Sequence, residues 1–171
     1  MGDGDDEDWE LLDEVEIEVE IENTDSNNDV RDVMVEIMIK DDNDNDVTKD
    51  FDLEDDTFDL GKIRDGDSEI VTFRIPEIPA DIEEGDYRIY VKAYQDNAEG
   101  EHCTSQSSDF DETLYQSIEV IQVDDPAVIV KDKGLVVSAS CGDEGVMTSF
   151  YVYNLGSDKE EKVLVTLRSS E

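Results

Sequence analysis

Three features of the sequence predict an all-β protein, an antiparallel β-sandwich with a second, incomplete sandwich unit opening behind it. Residues 14–23, EVEIEVEIEN, place Val15, Ile17, Val19 and Ile21 in strict alternation with Glu16, Glu18 and Glu20. A period of two is that of a strand with one buried and one wet face. Similar short runs recur between turn-forming residues, and no stretch carries a helical period. The opening pattern also returns: with Asn23 set against Asn154, Val19-x-Ile21-x-Asn23 aligns with Phe150-x-Val152-x-Asn154, Ile17 with Thr148 and Val15 with Val146. After a one-residue gap, Val33-x-Val35-x-Ile37 aligns with Val163-x-Val165-x-Leu167. Asn23 and Asn154 thus mark the register of a repeating unit.

Taken in order, residues 1–13 are an acidic lead-in whose apolar handles, Trp9, Leu11 and Leu12, are expected to pack on the sandwich edge. The first domain, residues 14–123, begins with a strand over 15–21, and a polar turn leads to a second over 33–39. The run DDNDND at 41–46 is a turn of Asp and Asn, residues that tolerate positive φ and cap their own backbone. Residues 47–53 and the piece around Phe58 and Leu60 are expected to form the middle strand region. Gly61 and the Asp65-Gly66-Asp67 turn then deliver the chain to a strand holding Val71, Phe73 and Ile75. Pro76 and Pro79 end it, since proline cannot donate to a ladder. An alternating strand opens at Tyr87, and after the loop 95–109 the last strand runs over 117–123. That is about seven strands, spaced as in a sandwich. Residues 124–126 read as a linker. The second unit, 127–171, opens with apolar runs at 127–130 and 135–139, repeats the Asn-terminated strand, and stops after a strand over 163–168, which would leave an open edge.

The strand ending in Asn, the acidic-valine strand, Gly85-x-Tyr87, Ser138-x-Ser140-Cys141-Gly142 and Asn154-Leu155-Gly156-Ser157 together resemble archaeal S-layer-like and CARDB-type surface proteins. The resemblance implies tandem Ig-like, CARDB- or fibronectin-III-like, sandwiches and a structural role at the cell surface, outside the cell. Gly85 and Tyr87 also resemble the tyrosine corner of such sandwiches, where the phenol bonds back to upstream backbone. Tyr87 is the candidate for that role; an ordinary strand aromatic is the alternative.

Charge narrows the partners. Fifty Asp and Glu against thirteen Lys and Arg give a net charge of −37. Such self-repulsion must be screened by salt or neutralised by cations. A polyanion of this density repels nucleic acid and anionic lipid headgroups. Neither a membrane-spanning run nor a signal peptide is recognisable, so the start reads as that of a chain lying behind a removed leader.

Chemistry has few places to reside. A bridge between Cys103 and Cys141 would close a loop of about 38 residues, restrain the unfolded chain by roughly 4 kcal/mol and clamp the two units. Two unpaired thiols are the alternative. With one histidine, His102, beside Cys103, neither a Cys-His nucleophile nor a zinc site finds its usual partners. Asp42-x-Asp44-x-Asp46 imitates the first half of an EF-hand loop, but Val47 stands where Gly is needed and Leu53 where Glu is needed. A looser calcium site, joining Asp41 to Asp46, with Asp42, Asp44 and Asp46 foremost, to Asp55, Asp56, Asp65 or Asp67 on adjacent loops, is the one cofactor expectation, against a solvated turn. The function expected is therefore a non-enzymatic structural module of an acidic surface layer or self-assembling filament. It would associate with itself or with neighbouring repeats, by strand complementation among other routes, and with divalent cations. The alternative is an extracellular adhesion or ligand-binding module using Phe51, Phe58, Tyr90, Tyr94, Phe110 and Tyr115 as an exposed aromatic end.

Overall fold

The computed structural model of the protein describes residues 8–95, 110–122, 128–131 and 150–166. The chain divides into two units, Met1–Ile121 and Gln122–Glu171.

The first unit is all-β. Among the described residues it holds seven strands: β1 (Asp8–Glu10), β2 (Val15–Glu22), β3 (Val30–Lys40), β4 (Thr57–Ile63), β5 (Ser68–Ile75), β6 (Gly85–Gln95) and β7 (Tyr115–Ile121). One sheet has the order β1-β7-β6-β3-β4, and β2 pairs with β5 in the other. The alternation in β2 is expressed directly, with Val15, Ile17 and Val19 half-buried, Ile21 buried and Glu16, Glu18, Glu20 and Glu22 exposed. In β3 the odd positions Val33, Val35, Ile37 and Ile39 are buried, and in β6 so are Tyr87, Ile89 and Ala93. Ile118 and Val120 of β7 and Phe73 and Ile75 of β5 complete this core. Phe58 of β4 meets Phe73 of β5 edge to face, 5.1 Å between ring centroids, which joins one sheet to the other in the manner of a β-sandwich.

The structure corrects the sequence reading at four places. Trp9 and Leu11 are buried at the sheet edge as expected, but Asp8–Glu10 is a strand and not a lead-in, pairing parallel with β7, Trp9 against Val120. The large sheet is therefore mixed, not purely antiparallel. Residues 47–53 hold no strand; Thr48–Phe51 is a 3-10 helix with Asp52 left-handed behind it at φ 51°. The reason is local. Asp46 Oδ1 accepts from Thr48 N (3.0 Å) and Thr48 Oγ1 (2.6 Å), while Thr48 Oγ1 accepts from Ile39 N (2.9 Å). These bonds tighten the chain into a turn that drives Phe51 inward, fully buried between Trp9 and Tyr87. Gly61 lies within β4 at φ 65°, where the β3–β4 register slips around Val33, so it marks a bulge and not a connecting turn.

In the second unit β8 (Val128–Lys131) pairs antiparallel with β9 (Tyr151–Asn154), Val128 against Asn154 and Lys131 against Tyr151. The fourth correction lies here. Residues 163–166 are not a strand, and Val163, Leu164 and Val165 are exposed, Leu164 at 90%. No partner strand pairs with them among the described residues, so their alternation does not take ladder form. Among the described residues no helix is long and apolar enough to cross a membrane.

Candidate functional site

The Asn residues that mark the repeat build the same local device. Asn23 Oδ1 accepts from Asp25 N at 3.1 Å, and Asn154 Oδ1 accepts from Gly156 N at 3.3 Å, two residues on in each case. Each is an Asx turn closing a strand end. The side-chain amides then reach onward, Asn23 Nδ2 to Asn28 O at 2.9 Å and Asn154 Nδ2 to Asp158 O at 2.8 Å. Asn23 goes further. It is buried, and Nδ2 also donates to Ile63 O (3.3 Å) and Arg64 O (3.1 Å), where the chain leaves β4 for β5. The backbone seals the same point: Asp67 N donates to Arg64 O, Gly66 N to Asn23 O and Asn23 N to Asp67 O. With Gly66 at φ 70°, this is a tight turn followed by a glycine bulge opposite Asn23.

Tyr87 Oη donates to Glu83 O at 2.7 Å and so closes the approach to β6. Its ring lies edge to face against Phe51 at 5.2 Å. Burial, with the carboxylates of Glu83, Asp41 and Asp42 nearby, pushes the phenol above its ordinary pKa.

Asp42, Asp44 and Asp46, the residues expected to share a calcium ion, point to three different partners. Asp42 Oδ1 accepts from Asn43 Nδ2, Asp44 Oδ1 meets Arg88 at 2.9 Å, and Asp46 turns inward to Thr48. Asp41 organises the loop instead. It accepts from Asn43 N, Asn45 N and Asn45 Nδ2, and Asp44 takes φ 65° to allow it. The Asn45 side chain above all holds Asp41 below the ordinary aspartate pKa, and Thr48 does the same for Asp46. Among the described residues no three His, Cys, Asp or Glu side chains converge as a metal ion requires. Cys103 and Cys141, with the bridge proposed between them, lie outside the described residues.

The six aromatics named for a ligand-binding end do not form one. Phe51 and Tyr90 are buried, and Phe58 is half-buried against Phe73. Tyr94 and the half-buried Phe110 flank Lys92, whose Nζ lies 5.0 Å and 4.5 Å from their ring centroids. Tyr115 alone of the six is exposed, 5.6 Å from Tyr90 and under Arg88 at 5.8 Å. Lys40, Arg88 and Lys92 thus interleave with aromatics on the outer face of the large sheet, and Glu36 pairs with Lys92 at 2.8 Å. The alternation Arg88-x-Tyr90-x-Lys92-x-Tyr94 was the available signal for this cation-bearing face, and the inward apolar set of the same strand masked it.

Comparison with protein-family models found no match, and neither did comparison with curated proteins.

Proposed function

We propose that this chain is a non-enzymatic structural module of an acidic protein at the cell surface, an S-layer-like assembly of tandem Ig-like β-sandwiches. The observation that carries the reading is the Asx turn built twice, at Asn23 and at Asn154, on aligned strand ends. One unit repeated along a chain is the architecture of an extended structural protein. Strand order supports the Ig-like form. Sheet β7-β6-β3-β4 corresponds to the G-F-C-C′ side of such a sandwich and β2-β5 to its B-E side. On that mapping, the Tyr87 bond to Glu83 O falls at the E-F corner, where a tyrosine corner belongs.

Its mechanism is mechanical and electrostatic. Stiff β units carry a net charge of −37, so copies approach one another only when salt or divalent cations screen the carboxylates. The test is sedimentation velocity with negative-stain microscopy from about 0.1 M to about 1 M salt, with and without calcium. Ordered arrays or filaments that form with screening and disperse without it are the expected result. A monodisperse monomer under every condition would overturn the reading.

A further inference from the structure

The edge of β2 that faces away from β5 carries an inference beyond the structural role, concerning what that edge accepts. Its geometry follows from register. Asn23 exchanges backbone bonds with the bulge at Gly66 and Asp67, so the ladder places Ile21, Val19, Ile17 and Val15 in hydrogen-bonded pairs with Glu69, Val71, Phe73 and Ile75. The other end agrees: Arg74, opposite Glu16, turns its carbonyl away from β2 and accepts from Glu54 N. The N–H and C=O groups of Glu16, Glu18, Glu20 and Glu22 therefore point to the open side, and none makes a backbone bond there among the described residues. A row of this kind is a template for another strand.

The same four residues expose their carboxylates on the wet face. Glu16 pairs with Arg74 and Glu20 accepts from Ser68 Oγ, whereas Glu18 and Glu22 have no hydrogen bond or ion pair among the described residues. An incoming strand sets one side chain beside each glutamate and the next beside Val15, Ile17 or Val19, which are only half-buried. We propose that the β2 edge docks an extended segment of a partner that alternates Lys or Arg with aliphatic residues. A second copy of β2 is a poor occupant, because self-pairing would set glutamate against glutamate.

The probe is an end-capped peptide of about seven residues alternating Lys and Val, beside the same peptide N-methylated at its lysines, measured by calorimetry in about 0.15 M salt. N-methylation preserves charge and side chains but blocks the ladder. The plain peptide is expected to bind at least about tenfold more tightly. It should slow amide exchange at Glu16, Glu18 and Glu20. Glu18→Pro, at an N–H that β5 does not use, should keep the β2–β5 ladder and lose that tenfold; should it unfold, Glu18→Lys tests the same edge by losing affinity for the basic peptide. Equal binding of the two peptides, or no exchange protection at the three glutamates, would overturn the proposal in favour of general attraction to a polyanion. A dimer formed without peptide and dissociated by Glu18→Pro would equally overturn it, since the occupant would then be a second copy.

Discussion

Asn23 and Asn154 occupy aligned positions of the sequence and fold the same turn, yet one is buried and tied to the crossing between β4 and β5, and the other is exposed. The neighbouring strand positions differ likewise. Ile21 is 9% exposed, whereas Val152, aligned with it, is 41% exposed. A local pattern thus suffices to set the strand end and its Asx turn. Burial needs the opposing layer, which the first unit supplies through β3, β6 and β7.

The sharpest way to break this comparison is to remove an aromatic from each unit. Phe51→Ala should cost about 3–5 kcal/mol, because it empties a fully buried site between Trp9 and Tyr87. Tyr151→Ala, at a residue 52% exposed, should cost under about 1 kcal/mol in the same urea titration. The asparagines come next. Asn23→Ala removes the buried side-chain amide shared by the carbonyls of Asn28, Ile63 and Arg64, of which Arg64 O keeps Asp67 N, and should cost about 2–3 kcal/mol, against under about 1 kcal/mol for Asn154→Ala. Equal losses would mean that the crossing of the chain between sheets does not depend on Asn23. Tyr87→Phe keeps the ring and deletes only the bond to Glu83 O, so about 1 kcal/mol is expected by thermal melting.

The smallest effect is in acid, and its sign can be worked out. Asp41 and Asp46 are held below the ordinary aspartate pKa, so the stability they contribute is present above that value and is lost as pH falls through their folded values. Net charge acts in the opposite direction, because proton uptake relieves the self-repulsion of a −37 chain. Melting temperature should therefore rise as pH drops from 7 toward about 5 and fall below about pH 4. Asp46→Asn should make that fall shallower, and an unchanged slope would remove the Asp46–Thr48 bonds from the account.

Local periodicity made β2, β3 and β6 legible, since in each the apolar residues stand at every second position and so share one face. The same rule misled at Val47, Phe51 and Leu53, which mimic a strand. Asp46 and Thr48 compete for the backbone there and win, because their bonds are made within three residues. β1 was hidden for the opposite reason: three residues cannot show alternation, and Trp9 finds its partner at Val120. The candidate site divides in the same way. Asn23 and Asn154 were visible as repeat markers, but the carbonyls that Asn23 serves lie about forty residues away, beyond the reach of a local pattern. Asp42, Asp44 and Asp46 were legible as a turn, but their spacing says nothing of Arg88 and Thr48, the partners that Asp44 and Asp46 take.

The first unit is a packed sandwich, whereas β8 and β9 pair without an equivalent buried face among the described residues. Native-state hydrogen exchange measures this strand by strand. Amides of β3 and β6 should open only with global unfolding, while those joining β8 to β9 should exchange at least about 100-fold faster. Protection of β9 equal to that of β3 would contradict it.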